Sequence, residues 1–516
     1  MRKKNPGKVV SVIDIGSNML RMRISQLAEK DILHLDVLER PVKVGHEVFL
    51  SGRISMESVL GISAHLKGFS QLMREYGCKQ YAAVATTAFR EAENQILVVD
   101  HIKILNHISL EVLDEGEETT LIYFEMLKQL QQCKELDCGS ALLCYIGTGS
   151  LGVALYDGEQ IIATRSIPLG SLKISEMLRG LQDKTPEFHT VLEEFLSSFI
   201  KRLKVHISYI DVKNLVVAGK AIDQIVRFCG GTEEEAGSDL LSKERLFDVY
   251  REVHRLSPLQ ISMAYGMNQD QAEVFYTLMA IFVKIAELCS ERRILAPKIE
   301  LWDGLAKQML DSEYRQEYRE HVQQNAISSA LTMAKRYCCD MQHVQRVGDY
   351  ACLLFDKTKR HHGLKGSYRT LLHLAALLHD CGHFTNTKDH RSSTLDLIKN
   401  SYLYGLRDEE IELIARITAY DQKSRASFTT YRGEAAATEM AVAKLSALLW
   451  LANTLDKSHK GKISQLKVRV QDRMLNISAT SDSNLMLENW AFDECVPFFE
   501  DVLGLRPQLN VRTVLL

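Results

Sequence analysis

The sequence predicts an α/β protein: two similar halves around a cleft over roughly the first 310 residues, then a helical domain and a small α+β tail. Three observations carry that prediction. Val9-Val10-Ser11-Val12-Ile13-Asp14-Ile15 is a β-branched run ending in Gly16-Ser17-Asn18. It reads as a buried strand turning sharply into a returning strand over Met19 to Ile24, where Leu20, Met22 and Ile24 alternate with Arg21 and Arg23. About 130 residues later Leu142-Leu143-Cys144-Tyr145-Ile146 enters a second glycine turn, Gly147-Thr148-Gly149-Ser150, and a further strand leaves it towards an Asp157-Gly158 hairpin. Beyond Leu310 the pattern becomes one of long helical stripes. The expected domains are 1–127, 128–310, 311–460 and 461–516.

Both turns suit a phosphate. Gly16 lets the backbone approach an anion, Ser17 and Asn18 place short polar side chains beside the turn amides, and Asp14 is placed to hold a magnesium ion through water. Two such units suggest half-domains gripping a phosphate chain, although two ordinary hairpins fit the same pattern.

Between and beyond the turns, Glu57 to Tyr76 has helical periodicity through Leu60, Ile62, Leu66, Phe69 and Leu72, closed by Gly77. Gln80 to Ala85 is a strand whose threonine-rich end delivers Arg90 to a helix start, where it either clamps a phosphate bidentately or pairs with Glu91 or Glu93. Asp114-Glu115-Gly116-Glu117-Glu118 opens a helix; such carboxylates partner the helix dipole, and a general-base role is the alternative. Glu187 to Ile207 and Asp270 to Glu291 carry core-type helical stripes. The segment Asp311 to Gln324, with Tyr314 and Tyr318 on one face, starts the helical domain. There His343 shares a helix with Val344, Val347, Tyr350 and Leu354, and Leu371 to Cys381 is a second helix ending in His379-Asp380-Cys381. In the tail, Gln465 to Val470 and Met474 to Ala479 alternate like a hairpin, Cys495 to Leu503 is a short helix with Pro497 in its first turn, and Leu509 to Leu515 is a last strand.

Composition excludes several classes. With 46% hydrophobic and 25% charged residues the chain is an ordinary globular one, and a net charge of -3 gives no general nucleic-acid-binding surface. Eleven cysteines lack paired zinc spacing, and Cys338-Cys339 are adjacent, which fits reduced thiols in a cytosol. No run reaches the ~18 apolar residues of a membrane span and the charged N-terminus leads into no signal-peptide core. A cytoplasmic protein with no membrane partner is expected.

Taken in order, Val12 to Asn18, Ala85-Thr-Thr-Ala-Phe-Arg-Glu-Ala92, Val112 to Tyr123, the turn at Ile146 to Ser150, Ile167-Pro-Leu-Gly-Ser-Leu172 and Ile299 to Leu305 resemble the exopolyphosphatase and guanosine pentaphosphatase family in its long form. The resemblance covers essentially the whole chain. It implies two actin-like, ribonuclease-H-like domains, an all-α HD-like domain, a small α+β C-terminal domain and a homodimer. It also implies hydrolysis of a terminal phosphoanhydride of polyphosphate or a guanosine penta- or tetraphosphate, with Mg2+ or Mn2+ neutralising charge. On that pattern Glu117 or Glu118 is the candidate base and Arg90 the catalytic cation; Gly16, Ser17, Asn18, Gly147, Thr148, Gly149 and Ser150 hold phosphate; and Asp14 attends the metal. In the HD-like domain His343, His379 and Asp380 are the implied metal set, where capping of the helix end is the alternative.

The chain departs from the family at the second turn. Tyr145 stands in place of a metal-associated aspartate, Gly152 in place of a catalytic glutamate and Thr120 in place of an arginine, while Lys220 adds a cation in Ala218-Gly219-Lys220-Ala221. In the HD-like part Ser392, Asp421 and Asn453 replace expected ligands, and Asp456 survives. Loss of carboxylates removes charge partners for a metal, so a polyphosphate- or guanosine tetra- or pentaphosphate-binding regulatory protein stands beside the hydrolase, and a kinase with the same halves stands third.

Overall fold

The computed structural model describes residues 8–28, 31–137, 139–182, 188–207, 211–219, 222–229, 239–420 and 434–513. The chain divides into two units, Met1–Val322 and Gln323–Leu516.

The first unit holds two sheets of mixed direction, which makes it α/β. One is formed by β1 (Val9–Ile15), β2 (Met19–Ala28), β3 (Asp31–Pro41), β4 (Gln80–Ala85) and β5 (Glu111–Val112), in the order β3-β2-β1-β4-β5. The other contains β6 (Ala141–Ile146), β7 (Leu151–Tyr156), β8 (Ile161–Ile167), β9 (Asn214–Gly219), β10 (Leu240–Ser242) and β11 (Arg293–Leu295), in the order β10-β11-β9-β6-β7-β8. In each sheet the first strand pairs antiparallel with its hairpin partner and parallel with a strand that arrives after a helical crossover. The second sheet thus repeats the first and adds an antiparallel edge strand. Strands β1 and β6 are almost wholly buried, as β-branched and aliphatic runs must be when both faces are covered.

The helix Met56–Glu75 begins at Ser55, whose side chain accepts the Ser58 amide, and it buries Val59, Ile62, Leu66 and Phe69. The helix Gln269–Ala286 stops five residues short of the expected Glu291, because the chain turns at Glu287 and reaches strand β11.

The second unit stacks the helices Met341–His362, Ser367–Leu378, His390–Lys399, Asp408–Ala419 and Glu434–Thr454, and then adds β12 (Ile463–Gln471), β13 (Met474–Ser481) and β14 (Arg506–Thr513). β12 and β13 form the expected hairpin, and β14 joins β13 in parallel. Leu372, Leu448, Ile477 and Phe499 belong to one core, so sheet and helices share it. The last helix runs from Met486 to Leu503 and places Pro497 in its interior rather than in a first turn. Exposure of Met486, Leu487 and Trp490 hides the periodicity of its first half. Among the described residues no helix is long and apolar enough to cross a membrane.

Candidate functional site

In the first unit the carboxyl ends of β1, β4, β6 and β9 converge where strand direction switches, the usual place for a ligand crevice in such sheets. A small cavity of about 10 Å3, room for one water or ion, is lined by Asp14, Thr86, Glu118, Tyr145, Gly219 and Glu300. It gathers three carboxylates. Asp14 is buried, and its Oδ1 has no hydrogen-bond partner among the described residues. Glu300 meets Arg21 at 3.3 Å.

Glu118 is held from two sides. The Arg90 guanidinium donates to its Oε2 at 3.3 Å and to the Leu113 carbonyl at 2.7 Å, while the Tyr145 hydroxyl donates to its Oε1 at 3.3 Å. Burial pushes the Tyr145 phenol well above its ordinary pKa, reinforced by Glu118, Asp14 and Glu300, so it stays a proton donor. Glu117, one residue earlier, points elsewhere: it completes a capping box by accepting the Asp114 amide at 3.3 Å and does not line the cavity. Arg90 bonds Glu118 rather than Glu91 or Glu93, which pair with Lys173 and Arg53.

The two glycine turns meet directly: the Ser17 and Thr148 hydroxyls are 2.8 Å apart. The Gly16 amide donates to the Met19 carbonyl and the Gly147 amide to the Ser150 carbonyl, both at 2.9 Å, so each is spent inside its own turn. The amides of Ser17, Asn18, Thr148 and Gly149 have no backbone acceptor among the described residues; Ser17 and Gly149 are buried, with Gly170 packed against the Gly149 amide, so Asn18 and Thr148 are the two that reach solvent. Gly149 is required by crowding, since a Cβ there would lie 2.2 Å from the Thr87 methyl. Ser150 donates to Glu115 and is thereby turned to that carboxylate. Lys220 lies outside the described residues. Alongside runs a larger cavity of about 720 Å3, with Asn18, Arg21, Lys43, His46, Thr148 and Lys298 in its wall.

A second cluster lies in the other unit. Asp340 caps the helix Met341–His362 and accepts the His343 amide at 3.1 Å, which sets His343 in its first turn. His379 ends the helix Ser367–Leu378 and Asp380 follows it. One donor atom from each of His343, His379 and Asp380 lies within 4.8 Å of the others. His343 Nδ1 donates to Asp456 at 2.9 Å and His379 Nδ1 donates to the Ala376 carbonyl at 2.7 Å. Each Nε2 then faces the Asp380 carboxylate, at 3.8 Å from His343 and 3.4 Å from His379, and among the described residues neither buried Nε2 makes a hydrogen bond. Burial would raise Asp380, but His379 and His343 outweigh it and hold its carboxyl below the ordinary range. Burial pushes the pKa of the His379 imidazole down, against the opposing pull of the Asp380 carboxylate. Two imidazole nitrogens, the Asp380 carboxylate and the Asp456 carboxylate behind His343 are a donor set that fits a divalent transition metal.

Sequence reasoning missed Glu300, Glu115 and Arg346. Glu300 directly precedes the helix Leu301–Leu310, a position where an acid is commonplace. Arg346 donates to Asp456 at 2.9 Å, a contact that joins residues 110 apart in sequence.

An exopolyphosphatase from Cytophaga hutchinsonii is 20% identical, with 59% of this chain and 98% of that chain covered and a TM-score of 0.51. The Aquifex aeolicus member of the Ppx/GppA family is also 20% identical, with 60% and 99% covered and a TM-score of 0.50. Both show likeness of fold. The model for domain III of the Ppx/GppA phosphatases matches residues 326–492. The model for the family itself matches residues 24–348, more than half of the sequence, and on that match the chain belongs to the Ppx/GppA phosphatase family.

Proposed function

We propose that the cleft of the first unit hydrolyses a terminal phosphoanhydride of polyphosphate or guanosine pentaphosphate, with water as nucleophile. The observation that carries this reading is the convergence of Asp14, Glu118 and Glu300 on one cavity beside the two glycine turns. The amides of Asn18 and Thr148 would hold phosphate oxygens, and Lys43 and Lys298 would meet further phosphates in the larger cavity, whose wall also carries Glu39, Glu176, Glu273 and Glu300. Glu118 would take the proton of the attacking water, with Arg90 and Tyr145 fixing its orientation.

The unpartnered Asp14 Oδ1 fits a hard cation, so Asp14 would hold Mg2+ or Mn2+, with Glu118 and Glu300 reaching it through water. When bound, that ion would neutralise charge on the phosphates. The fold reading that goes with this function is two actin-like domains.

A second reading, a polyphosphate- or guanosine tetra- or pentaphosphate-binding regulatory protein with little turnover, is favoured by Tyr145, whose buried ring stands beside Glu118 where the family carries a carboxylate. Phosphate release from long-chain polyphosphate and, separately, from guanosine pentaphosphate, with magnesium or manganese, tests both readings. Release supports the hydrolase; tight binding of either compound without release supports the regulator, and neither binding nor release overturns both.

A further inference from the structure

Two thiols of the Gln323–Leu516 unit belong neither to the cleft nor to the cluster of His343, His379 and Asp380: the Sγ atoms of Cys339 and Cys381 lie 3.6 Å apart. Among the described residues no other pair of thiols makes such a contact. Local structure brings them together. The helix Ser312–Arg336 closes in a turn where the Cys338 amide donates to the Lys335 carbonyl at 3.1 Å and the Cys339 amide to the Ala334 carbonyl at 3.0 Å, with Cys338 in the left-handed region at φ 53°. That turn leaves Cys338 exposed and packs the half-buried Cys339 against the core. Cys381 opens the short helix Cys381–Phe384 and is fully buried. Its turn is fixed, because the Gly382 amide donates to the Thr394 hydroxyl at 3.0 Å and a Cβ on Gly382 would lie 2.0 Å from the His390 carbonyl oxygen. Tyr337 and Phe384, one ring from each turn, meet edge to face at 5.7 Å and hold the two turns in register.

We propose that Cys339 and Cys381 are a redox modification site, which a small disulfide of the glutathione class converts into an intramolecular disulfide and a small thiol restores. Exposure sets the order of events. Cys339 is the thiol of the pair that a reagent reaches, so its Sγ displaces one thiolate from the small disulfide and forms a mixed disulfide. The buried Cys381 Sγ beside it then attacks the Cys339 sulfur, forms the new S–S bond and expels the second thiolate. The protons of Cys339 and Cys381 leave on the two departing thiols; the protein pair gives up two electrons and the small disulfide takes them. Bonding draws the sulfurs to about 2 Å. That movement falls on Cys339, whose turn faces solvent at Cys338, since the Gly382 turn has no room to give. The bond joins residues 42 apart in sequence, so it restricts the unfolded chain and stabilises the folded one. Cys338, exposed and outside the contact, takes no part.

The test uses the full chain, reduced, freed of reductant and incubated with oxidised glutathione in the absence of denaturant. Remaining thiols are blocked with iodoacetamide, and the digested chain is mapped by mass spectrometry. The wild type should give a peptide cross-linked between Cys339 and Cys381, lighter by two hydrogens than its reduced parts, and dithiothreitol should return both thiols. Cys338→Ser removes the neighbouring thiol from the same peptide and should form the cross-link as the wild type does. In that background, Cys381→Ser should abolish the cross-link and leave a glutathione on Cys339, whereas Cys339→Ser should leave Cys381 a free thiol. The oxidised wild type should unfold at a urea midpoint about 0.5 M or more above that of the reduced chain. Absence of the cross-link in the folded wild type, its formation only in urea, its loss in Cys338→Ser, or glutathione on Cys381 in the Cys339→Ser chain would each overturn the proposal.

Discussion

Alanine at position 152 would insert one methyl group into space that Tyr123 already uses. Gly152 faces Tyr145 across β6 and β7, and a Cβ built on it would lie 2.5 Å from the Tyr123 hydroxyl and 3.1 Å from the Thr119 Cγ2. Both neighbours stand on the helix Glu115–Gln132, and Tyr123 is 2% exposed, so neither can yield without disturbing the core. Overpacking of this kind costs about 1–3 kcal/mol. Removing the hydroxyl relieves the closer of the two contacts, because the next atom of that ring, Cζ, would be 3.6 Å away, while the 3.1 Å approach to Thr119 remains. Gly152→Ala should therefore lower stability in the wild type, and less so in a Tyr123→Phe background, with a coupling of about 1 kcal/mol or more. Urea unfolding of the wild type, both single variants and the double variant measures that coupling. Strictly additive losses would refute the idea that Tyr123 fills the side-chain space at position 152. The consequence for function is that glutamate cannot be returned to 152 alone; Tyr123 must be trimmed with it.

Other perturbations have distinct signatures. Arg90→Ala leaves the buried Glu118 with only the Tyr145 hydroxyl, and unfolding should show a loss of about 2–3 kcal/mol together with weaker polyphosphate binding. Burial, aided by Lys128, pushes His321 from 6.5 down to about 4, so the folded chain keeps it neutral where the unfolded chain takes a proton. Its contribution is complete above pH 6.5 and is lost as pH falls towards 4, by at most about 3 kcal/mol, and His321→Gln should flatten that part of the stability–pH curve. Pro497 is exposed inside the helix Met486–Leu503 and leaves the Asp493 carbonyl without its helical donor; Pro497→Ala should raise stability by about 2 kcal/mol, read as a higher urea midpoint.

The hairpins that open the two sheets of the first unit were legible because alternation in Leu20, Met22 and Ile24 and the glycines of each turn are local signals. Repetition of one strand order in two sheets was legible only as an echo of pattern, since pairing of β1 with β4 and of β6 with β9 depends on long crossovers. The choice between Glu117 and Glu118 was not legible. Neighbouring residues on a helix differ by about 100° in direction, and sequence does not say which of two acids closes the capping box. Glu300 escaped notice because its partners, Asp14 and Glu118, are brought to it by tertiary folding alone. In the second unit the His379-Asp380 pair stood out, whereas Arg346 behind Asp456 is an ordinary helical arginine until the helices pack.

The most direct test is the initial rate of phosphate release from long-chain polyphosphate, in magnesium, by the wild type, Glu118→Gln and Glu117→Gln. If Glu118 is the base and Glu117 a cap, Glu118→Gln should be slower by about 100-fold or more with binding retained, while Glu117→Gln keeps the wild-type rate and, because a glutamine carbonyl also accepts the Asp114 amide, nearly the wild-type stability. Undiminished release by Glu118→Gln, or loss of release in Glu117→Gln alone, would contradict the assignment of the cleft's chemistry to Glu118.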